Sequence, residues 1–233
     1  DVNYGEEEMG DFIRSLKKSG YSGTFALFHS DNRSDVNNYL LSYGIDLRLY
    51  DYRKFGDIPP NAIRYLFYES YLQMNRNRFD RVFIADIRDV VFQRNPFDFD
   101  FCDGLHVFTE CSERNILSCD ANSMWIISKF DGDELQKIGH NSILCSGTTY
   151  GTTSAMLEYL NMMGQYMLPP NQWIGYDQGV HNWLVWTGKI PKVKIHKNEK
   201  GPVITLGLMP ENSVKTNEEG YVVIKLPLPP GTM

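Results

Sequence analysis

The chain has 233 residues, 42% hydrophobic and 13% aromatic, enough to bury one sizeable core as a single domain over residues 1–233. Its formal net charge is −6, which argues against a basic footprint for nucleic acid or an anionic membrane surface. No apolar run approaches the roughly 20 residues that span a bilayer, and the N-terminus has no signal-like hydrophobic region. A soluble chain with a small or neutral partner is expected, its cellular location left open.

In chain order, residues 1–12 read as a loop entering a helix that carries Phe12, Ile13 and Leu16 and stops at Gly20. Thr24 to Phe28 is a predicted strand followed by a polar turn at residues 29–32, Val36 to Tyr43 a helix, and Ile45 to Tyr50 the next strand. Only Val2 and Asn3 precede the first turn, so the chain reads as starting just inside a first strand. Pro59-Pro60 introduces the best helix, with Ala62, Ile63, Leu66, Phe67, Tyr71 and Met74 at helical spacing toward the core. Leu105 to Thr109 is a further strand. Met124 to Ile127 reads as a strand, Asp133 to Ile138 as a short helix, and Ser142 to Tyr150 as a strand ending in a small-residue turn. Thr153 to Met163 is a helix capped by Thr152 or Thr153, and Asp177 to Trp186 another, closed by Gly188. Val193 and Ile195 alternate with lysine, and Val203 to Leu206 and Tyr221 to Leu226 read as short strands. Strands alternating with helices predict a layered α/β domain with a mostly parallel mixed sheet.

The four cysteines, Cys102, Cys111, Cys119 and Cys145, lack the CxxC spacing of a structural zinc site. A core of this size needs no covalent staple, so reduced thiols are expected, a disulfide among the first three being the alternative.

The organising stretch runs from Arg81 to Phe97, RVFIADIRDVVFQRNPF. Val82 to Ala85 is an uninterrupted apolar run, expected as a central strand buried on both faces. Asp86 and Asp89 then bracket Arg88 where that strand ends, the edge at which open α/β sheets bind ligands. Carboxylates against a buried strand require a cationic partner. A divalent magnesium or manganese ion fits, since hard cations select carboxylate oxygens and retain water and phosphate; a strand-end salt bridge with Arg88 is the plainer alternative. A haloacid-type phosphatase is disfavoured, because the position two beyond its nucleophile is normally aspartate and here is Arg88.

This segment resembles the Asp-x-Asp region of GT-A fold glycosyltransferases, particularly the retaining family that contains glycogenin and bacterial lipopolysaccharide galactosyltransferases. Asp86-Ile87-Arg88-Asp89, Val90-Val91-Phe92 and Asn95-Pro96 follow that pattern with one inserted residue. Cys145-Ser146-Gly147 stands where the family has Asn-Ser-Gly near the donor sugar, and Asp177-Gln178 resembles its Asp-Gln helix start beside the reacting carbon. The signals keep the family's order over residues 61–186. The resemblance implies a single GT-A-like, Rossmann-like domain, with a nucleotide-binding half over 1–100 and an acceptor-side half over 101–233. It implies manganese or magnesium on Asp86 and Asp89, and a nucleoside diphosphate sugar, by expectation a UDP-sugar, contacted by Val2, Asn3, Tyr4, Arg64, Asp86, Ile87, Arg88, Ser146 and Gly147. Asp177 and Gln178 are the implied catalytic pair, serving a glycan or glycoprotein acceptor. The family's C-terminal histidine with Gly and Lys-Pro-Trp is missing, and His196 is a poor substitute. Two other readings stand beside this one. The first is a noncatalytic nucleotide- or carbohydrate-binding module of the same fold. The second is a sugar nucleotidyltransferase, disfavoured because residues 5–10, GEEEMG, are acidic where a triphosphate would bind.

Overall fold

The computed structural model describes residues 4–30, 33–56, 58–110, 113–169, 175–198, 200–207, 214–218 and 221–224. Helix α1 (Glu6–Lys18) opens with Glu6, Glu7 and Glu8 and ends in Lys17 and Lys18, charges that suit the two ends of a helix dipole. Strand β1 (Ala26–His29), helix α2 (Ser34–Ser42) and strand β2 (Asp46–Leu49) follow, and β1 pairs in parallel with β2. Helix α3 (Pro60–Met74) begins on a proline at its first turn, where a missing N–H costs nothing.

The main sheet comes next: β3 (Arg81–Ala85), β4 (Leu105–Thr109), β5 (Leu144–Thr152) and β6 (Val193–His196), in spatial order β3-β5-β4-β6. Strand β5 is antiparallel to both its neighbours while β4 and β6 are parallel, so β3, β4 and β6 run one way and β5 opposes them. Helices α4 (Asp120–Lys129), α5 (Gly132–Ile138), α6 (Thr153–Met167) and α7 (Tyr176–Trp186) complete a Rossmann-like α/β arrangement, with a small hairpin of β7 (Val214–Thr216) and β8 (Val222–Ile224). Among the described residues no helix is long and apolar enough to cross a membrane, and Cys102, Cys119 and Cys145 carry free thiols; Cys111 lies outside them.

Several expectations are corrected. Strand β3 is an edge strand of its sheet and only partly buried, whereas β4 is buried at every position. The run Val82 to Ala85 faces a cavity of about 540 Å³ that β1 and α3 line from the other side. Residues Met124 to Ile127 belong to α4, not to a strand: four apolar residues fit either element, and Asp120 and Lys129 at the two ends complete a helix instead. Residues 203–206 form no strand. They are held as a loop by Asn198, whose amide donates to Thr205 O (2.9 Å) and accepts from Thr205 N (2.6 Å). Met74, expected in the core, is exposed at the last turn of α3, and the core face there is carried by Ala62, Ile63, Tyr65, Tyr71 and Leu72.

Among the described residues three apolar clusters make up the interior, the smallest being Phe101, Phe108 and Tyr150. One gathers Met9, Phe12, Ile13, Leu27, Val36 and Leu40 with Ile87, and Phe92 packs on Phe12 edge to face. The largest lies under the four-stranded sheet and takes Ala62, Tyr65 and Leu72 from α3, so α3 joins the largest core although it lies within residues 1–100. Its polar face is thereby turned toward the end of β3.

Candidate functional site

The site is built where β3, β5, α3 and α7 meet. Asp86 leaves the end of β3, and its backbone N–H donates to Gly147 O (2.9 Å) on β5. A Cβ at Gly147 would stand 2.9 Å from Asp86 Oδ2 and 3.4 Å from its Cγ, so a larger residue fits there only if the Asp86 carboxylate moves. Gly147→Ala should push the Asp86 carboxylate aside and weaken metal-dependent nucleotide binding at least tenfold by calorimetry, with the melting temperature nearly unchanged; unaltered binding would count against Asp86 as the metal ligand.

Asn61, Arg64 and Tyr65 share one face of α3 by their i, i+3, i+4 spacing. Arg64 Nη1 donates to Asp86 Oδ1 at 2.5 Å and Nη2 to Asp177 Oδ2 at 2.6 Å, so one guanidinium spans the two carboxylates. Asn61 Nδ2 donates to Asp177 Oδ1 (3.1 Å) and the Tyr65 hydroxyl to Asp177 Oδ2 (3.4 Å). Asp177 is 5% exposed in the first turn of α7, where the helix dipole favours a negative charge. That helix starts from Gly175 at φ +93°, a left-handed conformation with the Trp125 ring against its Cα, so a side chain there is excluded twice.

Gln178 tilts the other way. Its Oε1 accepts from Ser146 N (3.2 Å), while Nε2 donates to Glu110 Oε1 (2.9 Å) and Asn122 Oδ1 (3.1 Å). Burial pushes the Glu110 carboxyl above its ordinary range, and the bond from Gln178 only partly opposes this. Burial likewise drives the Tyr65 hydroxyl well above its usual range, with Arg64 pulling against it.

Deeper in α7, His181 is fully buried and shares a 2.9 Å hydrogen bond with the Tyr159 hydroxyl. Burial lowers its pKa to about 4, against a smaller opposing pull from Asp177. A histidine kept neutral when folded but protonated near its ordinary pKa when unfolded takes stability away as pH falls from about 6.5 to about 4. The slope approaches about 1.4 kcal/mol per pH unit, and His196, also lowered to about 4 by burial, adds to it. Urea midpoints from pH 7 to 4 should fall less steeply in His181→Gln than in the parent chain; parallel slopes would remove His181 as a cause.

Asp86 also lies where two cavities meet. The 540 Å³ one is largely apolar and takes in Tyr4, Arg88 and Asp89. The other, about 770 Å³, is lined by Asp86, Asp89, Glu110, Ser146, Gly147 and Gln178 and walled by residues 201–207. Asp89 is well exposed, 3.8 Å from the Arg88 guanidinium. The Ile87 side chain is buried in the N-terminal cluster, beside the apolar cavity. Val2 and Asn3 lie outside the described residues. Among the described residues no three or more His, Cys, Asp or Glu gather as a metal cluster. The two aspartates are hard oxygen donors on one cavity wall, a set that suits magnesium or manganese completing its shell from phosphate and water.

Of the residues expected from sequence, Arg64, Asp86, Asp177, Gln178, Ser146 and Gly147 come together, while Tyr4, Arg88 and Asp89 line the rims. Asn61, Tyr65, Glu110 and Asn122 were not foreseen. Glu110 had a signal, an acid directly after an apolar strand as at Asp86, and so did the shared face of Asn61, Arg64 and Tyr65. Asn122 has none, lying outside the strand expected over Met124 to Ile127. Neither a protein-family model nor a curated protein matches the chain.

Proposed function

We propose that the chain is a metal-dependent glycosyltransferase that moves a sugar from a nucleoside diphosphate sugar, a UDP-sugar first, to a hydroxyl of a glycan or glycoprotein acceptor. The observation that carries this reading is that Asp86 and Asp177, from distant parts of the chain, meet on the single guanidinium of Arg64, with Gly147 packed against Asp86 and Gln178 bonded to Ser146.

Asp86 and Asp89 hold the magnesium or manganese ion, which when bound neutralises charge on the departing diphosphate. Gly147 and the Ser146 backbone let the donor approach β5 closely. Arg64 supplies a fixed positive charge beside the same diphosphate, already oriented by Asp177 and so needing little reorganisation during transfer. Asp177 has its charge held by Asn61, Arg64 and Tyr65, and Gln178, on the cavity wall, is fixed by Ser146 and Glu110. In a retaining reaction Asp177 or Gln178 steadies the cationic sugar; in an inverting one Asp177 takes the acceptor proton.

Such an enzyme hydrolyses its donor slowly without acceptor. Release of UDP from UDP-glucose or UDP-galactose with manganese, and its loss in Asp89→Asn, is the expected result; no release from any donor by the folded chain would count against transfer.

A further inference from the structure

Arg64 occupies an unusual place for a donor-binding residue. Its side chain is only 20% exposed, and it donates to Oδ1 of Asp86, one of the two carboxylates assigned to the metal. Its Nη2 is engaged by Asp177 and the Tyr65 hydroxyl (3.2 Å), while Nε is buried and has no hydrogen-bond partner among the described residues. The site thus carries its own countercation, and that cation has a donor left over.

Resting on the reading above, we propose that Arg64 makes metal binding conditional on the diphosphate: it holds Asp86 against a bare divalent ion and releases it only when phosphate oxygens arrive to accept its N–H groups. A bare ion has to compete for Asp86 with a guanidinium that is mostly buried, and then sits as a second cation beside it. Both effects oppose binding. A diphosphate reverses both. Its oxygens accept from Nη1 as Asp86 is released, and its negative charge screens the ion from Arg64. Asp177 keeps hold of Nη2 throughout, so the guanidinium turns about a fixed anchor. Metal and nucleotide then bind as a coupled pair, each strengthening the other by the same factor.

The test is manganese binding to the whole chain, read by the loss of the free-ion electron paramagnetic resonance signal, with and without UDP. The parent chain should bind manganese alone weakly and at least tenfold more tightly with UDP. Arg64→Gln should bind manganese alone at least tenfold more tightly than the parent and lose most of the gain from UDP. That substitution leaves Asp177 without its cation, so Arg64→Gln/Asp177→Asn, neutral at both positions, guards against misfolding and should behave alike. If the parent binds manganese with UDP but neither variant gains affinity for the ion alone, the conditional role of Arg64 is wrong while the site stands. If the folded parent binds no manganese even with UDP, the metal site falls, and this inference with it.

Discussion

Asp177→Ala should lose both turnover and stability. Asp177 lies nearly buried at the start of α7 and accepts from Arg64, Asn61 and Tyr65 at once. Removing it leaves three inward-facing donors short of an acceptor and a guanidinium with only Asp86 to balance it. Breaking a buried ion pair from one side costs about 3 kcal/mol or more, which in a domain of this size lowers the melting temperature by about 6–12 °C. Transfer should fall by about 100-fold or more, the scale on which a positioned acid–base or charge-stabilising group contributes. Asp177→Asn separates the two effects: the amide keeps the shape and part of the hydrogen bonding, so stability should recover partly while turnover does not. Differential scanning fluorimetry beside a donor-hydrolysis assay reads both. Full activity in a folded Asp177→Asn chain would remove Asp177 from the chemistry.

Asp86→Asn should show the opposite balance. The Asp86 side chain is 43% exposed, and Arg64 keeps its partner in Asp177. Solvent-screened pairs contribute about 1 kcal/mol or less, so the fold should hardly notice. The ion, however, loses one of two carboxylates, and manganese-dependent nucleotide binding should weaken by about 100-fold, at the upper end of what even supporting ligands cost a metal site. Calorimetric titration of UDP in excess manganese measures this directly. Equal affinities in parent and variant would show that Asp86 is a structural partner of Arg64 and nothing more.

The two substitutions differ because one arginine serves two carboxylates of unequal burial, and that link was the least legible feature of the sequence. Arg64 and Asp177 stand 113 positions apart, and no local pattern states which anion a helix arginine will meet. What could be read was whatever has a periodic or positional signature. The apolar run before Asp86, the prolines opening α3, the threonine cap of α6 and the Asp-Gln start of α7 each appear where their local chemistry placed them. Misreadings occurred where local chemistry is degenerate. The four apolar residues of α4 suit a strand as well as a helix, and the short β-branched stretch at 203–206 belongs to a loop fixed by a single asparagine, Asn198. An apolar run also does not distinguish a strand within a sheet from one at its edge, and β3 is at the edge.

Glu110 shows the same limit from another side. It ends β4 as Asp86 ends β3, and β5 lies between those two strands, so both acids reach one cavity across it. Strand order, which places them together, is a property of the fold and not of either segment. The hydrogen bond between Glu110 and Gln178 ties α7 to the sheet.

The measurement that bears most directly on the proposed activity is thermal stability of the folded chain against uridine, guanosine and cytidine diphosphates and their sugars, each with and without manganese. A ligand that binds only the folded state raises its melting temperature in proportion to occupancy. The expected result is stabilisation by one base, uridine first, only when manganese is present. No shift with any nucleotide, metal present or absent, would contradict the transferase reading and leave Asp86, Arg64 and Asp177 as an ion triad that serves the fold alone.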